Sequence, residues 1–165
     1  MAGLEDLYRE IILDHYRSPR NRGELTVPPA HRVEGFNPLC GDEVVVYLQV
    51  EDGVVTDLAI SGQGCSISQA SASMMSATVK NKPVEAARTL IRSFKAMMSI
   101  HEQSLGGDDA DTKEEPVTVS PDDLGELAAL QGVVKFPVRI KCATLSWNAL
   151  AQGLDEIAAG VPSAI

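Results

Sequence analysis

Apolar residues recur along this chain at two periods, and the change between them marks out its elements. Leu4, Leu7, Ile11 and Ile12 fall on one stripe, with Asp, Glu and Arg elsewhere. That spacing predicts an amphipathic helix over residues 3–17. Pro19 and Gly23 in SPRNRGE break it, and TVPPA extends an irregular stretch to about residue 30. HRVEGFN then reads as a short edge strand. The period falls to two in VVVYLQV (44–50) and VVTDLAI (54–60). Val44, Val46, Leu48 and Val50 share one face of the first strand; Thr56, Leu58 and Ile60 share one face of the second. Asp52-Gly53 between them supplies the positive φ of a type I′ turn, so the two strands form an antiparallel hairpin.

Helical spacing returns after SGQGC. Ser66 and Gln69 form an S-x-x-Q capping box, which predicts a helix from Ser66 to about Lys80. Pro83 opens a second helix, with Val84, Ala87, Leu90, Ile91, Phe94 and Met98 on its apolar side. Ser120-Pro121 starts a short helix to about Leu130, with Asp122 and Asp123 in its first turn, and Gly132 closes it. A last helix is predicted from near Pro137 to about Ala159, with Val138, Leu145, Leu150, Leu154 and Ile157 as its stripe. Helix, strands, then helices is the order of an α+β fold, here a small antiparallel three-stranded sheet with helices packed on one face.

Composition narrows the class. The 165 residues suit a single domain; 44% are hydrophobic and 22% charged, as in a globular protein. Aromatics are only 4%, so the core must rest on aliphatic residues and methionine. The opening MAGLEDLYRE is charged and lacks the apolar run of a signal peptide. Nothing approaches the roughly 18 apolar residues of a membrane span. These features predict a cytoplasmic protein without a membrane partner. A net charge of −9 argues against general nucleic-acid binding. Residues 106–126 hold eight acids and one lysine, a net of −7, which leaves the remainder at −2. Such a run reads as a solvated loop, or as a docking surface for a basic partner.

Three cysteines are an odd number, and a chain without secretory features has no disulfide framework to build. Cys40 precedes one strand of the hairpin, inside FNPLCGDEV. Cys65 follows the other strand, at a helix start. Antiparallel pairing therefore puts both at the same end of the sheet. Free N–H groups at the helix start favour a thiolate at Cys65. Gly62 and Gly64 leave room around it. Cys142 lies in the first turns of the final helix, and nothing in the pattern forces it beside the others. With Asp42, these residues offer three sulfurs and one oxygen, a donor set that zinc accepts. The other reading is three buried free cysteines and a turn aspartate. His15, His31 and His101 are far from the cysteines in sequence and read as ordinary surface or core residues. Lys141 is a poor ligand, but it can stabilise a thiolate or steer an anionic partner.

LYREIILDHYRSPRNRG, FNPLCGDEV, SGQGCSISQASASMM and LGELAALQGVVKFPVRIKCATLSWNAL follow one another in the chain. In that order these blocks resemble the IscU/NifU N-terminal family of iron–sulfur assembly proteins, and within it the SufU branch. The resemblance covers almost the whole chain. It implies that Cys40, Asp42, Cys65 and Cys142 converge on one metal site, with Zn2+ as the cofactor. It also implies one IscU/SufU-like domain over 1–165, with an insertion at about 100–130. Housekeeping scaffolds of the family carry a histidine where this chain has Lys141. The branch implies a sulfurtransferase in which Cys40 accepts persulfide sulfur from a SufS-type cysteine desulfurase, a pyridoxal phosphate enzyme. A histidine of the desulfurase is expected to replace Cys40 on the metal. Sulfur then passes to a SufBCD-type assembly complex. Arg139 and Lys141 are candidate partner contacts, although Arg139 reads equally as a surface residue. The alternative is an iron–sulfur cluster scaffold that uses the same ligands.

Overall fold

A computed structural model describes residues 4–27, 29–104 and 125–160. The elements are α1 (Leu4–Arg17), β1 (His31–Asn37), β2 (Asp42–Glu51), β3 (Val54–Gln63), α2 (Ser66–Val79) and α3 (Val84–Ser104). A 3-10 helix (Gly125–Lys135) and α4 (Pro137–Ala158) follow. The expected three-stranded antiparallel sheet forms in the order β1-β2-β3. Its register pairs Asn37 with Asp42 across the first turn and Leu48 with Leu58 in the hairpin. Asp52 and Gly53 take φ of 53° and 73°, the left-handed conformation that a type I′ turn requires. An irregularity at Gln49/Val50 shifts the hairpin register. As a result Val55 is fully buried, whereas Thr56 is only half-buried.

The apolar face of the sheet, with Val33, Val46, Leu48, Leu58 and Ile60, is buried against the helices. α4 lies over β1 and β2. It comes close because Gly153 has no side chain: a Cβ there would sit 3.0 Å from Val33 Cγ2. Trp147 of α4 stacks on Phe94 of α3 with ring centroids 4.5 Å apart. The Trp147 indole N–H donates to Ser71 Oγ of α2, and Ser71 Oγ donates to Ala143 O. One serine thus joins two helices while satisfying the buried indole. His15, 1% exposed, links α1 to Ser73 of α2 and to Glu126 of the 3-10 helix. His31 is buried near Glu156. Both are therefore core histidines, as expected. The His101 side chain lies outside the described residues.

The outer edge of β3 is covered by backbone. Residues 21–23 exchange hydrogen bonds with Ile60, and Asn81 and Lys82 do so with Val55. Among the described residues, these bonds block the β3 edge at Val55 and Ile60 against pairing with another strand.

Three local expectations differ from the structure. Cys65, not Ser66, is the N-cap of α2, and Ser66 is its first helical residue. Gly132 does not close the preceding helix, because the 3-10 helix runs through it to Lys135. Val138 is 58% exposed: in the first turn of α4 the apolar stripe borders an open groove rather than the packed core. The short helix expected at Ser120, most of the acidic run and the core of the expected insertion lie outside the described residues.

Candidate metal centre

The β1–β2 turn builds one side of the site. Gly41 takes φ +67°, which reverses the chain over four residues and places Cys40 half-buried beside the start of β2. Asp42, the first residue of β2, points inward and is fully buried. Its Oδ1 accepts the backbone N–H of Cys65 at 2.9 Å. This bond crosses from β2 to the start of α2, and Gly64 makes it sterically possible. A Cβ on Gly64 would stand 2.5 Å from Asp42 Oδ1 and 3.1 Å from Asp42 Cα.

α4 supplies the other side. Its second turn brings Cys142, 0% exposed, to 3.3 Å from Cys40 Sγ, far beyond a disulfide bond. Donor atoms of Cys40, Asp42 and Cys142 all lie within 4.8 Å of one another. Sulfurs ~2.3 Å from one tetrahedral zinc ion stand about 3.8 Å apart, so the cluster has the right scale for a single ion. Cys65 is not among the three mutually close donors. Its sulfur accepts the Ser68 N–H at 3.5 Å as the helix cap, and it lies near Cys142 and Arg139. Three of the four predicted ligands are therefore together, and the fourth lies near Cys142 but outside the trio.

The electrostatics suit a cation. Burial pushes the Asp42 carboxyl up, but the Cys65 N–H and the nearby Cys142, Cys65 and Ser68 side chains outweigh it, and the net shift is downward. Asp42 thus stays ionised in a buried position. Burial, with Asp42 and the neighbouring thiols, holds the Cys142 thiol protonated well above its usual range. A bound divalent cation reverses this and deprotonates a coordinating thiol outright. Cys65 and Cys142 beside it push the Arg139 guanidinium upward, so the exposed Arg139 reaches toward both sulfurs. Lys141 is exposed on the same turn, and its backbone carbonyl accepts from the Thr144 hydroxyl at 3.5 Å.

A sequence profile described as the NifU-like N terminal domain matches residues 7–143. The chain belongs to this family. It is 43% identical over 155 residues to the zinc-dependent sulfurtransferase SufU of Bacillus subtilis (strain 168), spanning 94% of each chain. It is 36% identical to the iron–sulfur cluster assembly scaffold protein IscU of Streptococcus pyogenes serotype M1, covering 96% of this chain and 89% of that one. The crystal structure of FiSufU, a SUF-system protein from Fervidobacterium islandicum AW-1, superposes with a TM-score of 0.73 at 28% identity. That match covers 92% of this chain and 99% of the other. The fold expected for this NifU-like family is therefore the one observed. No helix of the described residues is long and apolar enough to cross a membrane.

One side chain of the site was missed from sequence. Asn37, three residues before Cys40, is buried and touches both Asp42 and Cys142. The available signal was its place before Pro38, at the end of a strand that leads into the cysteine turn.

Proposed function

We propose that this protein is a zinc-dependent sulfur acceptor for iron–sulfur cluster assembly, holding Zn2+ with Cys40, Asp42, Cys65 and Cys142. The observation that carries this reading is the convergence of Cys40, Asp42 and Cys142 donors within 4.8 Å. Cys65 completes a tetrahedral set by giving up a long N–H···S cap bond, which costs little. Zinc supplies thiolate character at neutral pH and a fixed geometry for its ligands. The B. subtilis relative is named for the same metal and activity.

Cys40 is the sulfur acceptor in this account. It sits in a turn and is half-buried, whereas Cys142 is sealed inside α4. The Cys40 thiolate attacks the terminal sulfur of a persulfide on a SufS-type cysteine desulfurase. A new S–S bond forms on Cys40, the donor's S–S bond breaks, and the donor cysteine leaves as a thiolate. Exposed Leu39, Phe136 and Val138 stand beside the thiols and give a partner an apolar surface. Phe136, Val138 and Arg139 also line an open groove of about 1020 Å³ together with Ile12, Leu13 and Ile67. Arg139 and Lys141 supply positive charge at this end of an otherwise acidic chain. Sulfur then moves to a SufBCD-type complex. Three free thiols suit a reducing cytoplasm.

The cluster-scaffold reading uses the same ligands, and the S. pyogenes relative is named as a scaffold. Elemental analysis of the purified protein separates the two. Colourless protein with one zinc per chain supports the acceptor. A stable brown cluster, with no zinc, overturns it in favour of the scaffold.

A further inference from the structure

Asn37 is 6% exposed, and every polar contact of its side chain serves the candidate site. Its Oδ1 accepts the Leu39 N–H at 3.3 Å, which closes the turn that carries Cys40. Because the Leu39 amide can only donate, the Asn37 oxygen must face it. The amide nitrogen therefore faces the other way. There it lies 3.4 Å from Asp42 Oδ2 and 3.7 Å from Cys142 Sγ. A turn aspartate or serine could also close the turn. Neither could donate two N–H bonds inward to a carboxylate and a sulfur.

We propose that Asn37 is the positioning residue of this site: its NH2 group holds Asp42 and Cys142 as an anchored pair, while its carbonyl oxygen fixes the turn that carries Cys40. This rests on the zinc reading above. The Asp42 and Cys142 donor atoms lie within 4.8 Å of each other at this spot, and the amide is the neutral donor that lets them approach. An N–H donor also draws charge from the Cys142 sulfur and makes it a poorer nucleophile. No such side-chain donor reaches the Cys40 sulfur among the described residues except the Cys142 thiol itself. Asn37 thereby distinguishes Cys142, which stays, from Cys40, which reacts.

The test uses the full chain as wild type, Asn37→Ala and Asn37→Asp. Zinc affinity is measured by chelator competition. Alkylation of the zinc-loaded protein is mapped to individual cysteines, and the thermal midpoint is measured on zinc-free protein. Loss of an outer-shell partner typically weakens metal binding by about 10–100-fold. Asn37→Ala is expected to fall in that range and to let Cys142 react alongside Cys40. Asn37→Asp keeps the shape and the Leu39 bond but turns two donors into acceptors, so Cys142 should become reactive in it as in Asn37→Ala. Matching zinc-free midpoints assign the loss to the site rather than to folding. Wild type that binds zinc, with both variants matching it in affinity and labelling pattern, overturns this inference alone. Wild type that binds no zinc overturns the metal reading, and this inference falls with it.

Discussion

The two ends of the sheet are held in different ways. At the hairpin end, Asp52-Gly53 turns the chain and the neighbouring segment is tied down mainly by backbone hydrogen bonds, with a Lys80–Asp57 ion pair beside them. Val84 N donates to Gly53 O, Asn81 N to Val55 O and Val55 N to Lys82 O, all at 2.8–2.9 Å. At the opposite end, side chains do the joining. The Asp42 carboxylate caps the Cys65 amide, Asn37 reaches Asp42 and Cys142, and Cys40 meets Cys142 from another element. The first end needs only backbone conformations, which several sequences could supply. The second needs particular donors and acceptors. If the proposed site holds zinc, the order of the second end should depend on the metal and that of the first should not.

Variants at the two ends should separate on that basis. The largest effect is expected at Cys142. Zinc at a hundredfold excess over its dissociation constant should stabilise the wild type by about 2.7 kcal/mol. Cys142→Ser should gain almost none of this, read as the difference in urea midpoint with and without zinc. Equal zinc stabilisation of the two proteins would remove Cys142 from the ligand set. Gly64→Ala comes next. Its Cβ would overlap Asp42 Oδ1, so overpacking should cost about 1–3 kcal/mol and zinc affinity should fall with it. Gly53→Ala is the control at the other end. Its positive φ should cost roughly 1–2 kcal/mol, yet zinc affinity should stay at the wild-type value. A Gly53 variant that loses zinc would show that the two ends are coupled.

The smallest effect is on pH. The folded carboxyl of Asp42 lies below its unfolded value. Its contribution to stability is therefore complete above about pH 4 and is lost as pH falls through the lower folded value. In zinc-free protein, Asp42→Asn should flatten the acid limb of the stability curve. An unchanged limb would place the acid sensitivity elsewhere. With zinc present the loss begins at higher pH, because protons compete with the metal for the thiolates.

The same contrast explains what could be read in advance. The hairpin, its turn and the shared location of Cys40 and Cys65 follow from strand period and from Asp-Gly, both local signals. The helix that carries Cys142 was legible too, but its approach was not. It depends on Gly153 letting α4 settle on Val33 and on the Trp147–Ser71–Ala143 links, and these pairings join residues far apart in sequence. Cys65 was placed at a helix start, yet Ser66 was the expected cap, because a hydroxyl is the commoner capping group. Here the sulfur takes that role. Val138 misled for a related reason: helical spacing says which side of a helix is apolar, not whether anything covers it. Asn37 gave a turn signal only. Its second role becomes visible once Asp42 and Cys142 are placed against it.

The central claim is that Cys40 receives the sulfur. Incubation with a SufS-type desulfurase and cysteine, followed by peptide mass mapping under non-reducing conditions, tests it directly. The account predicts that the peptide carrying Cys40 gains the mass of one sulfur atom, and that Cys40→Ala keeps its fold and gains none. Sulfur mapped to Cys65 or Cys142 in the wild type, or wild-type sulfur uptake by Cys40→Ala, would contradict it.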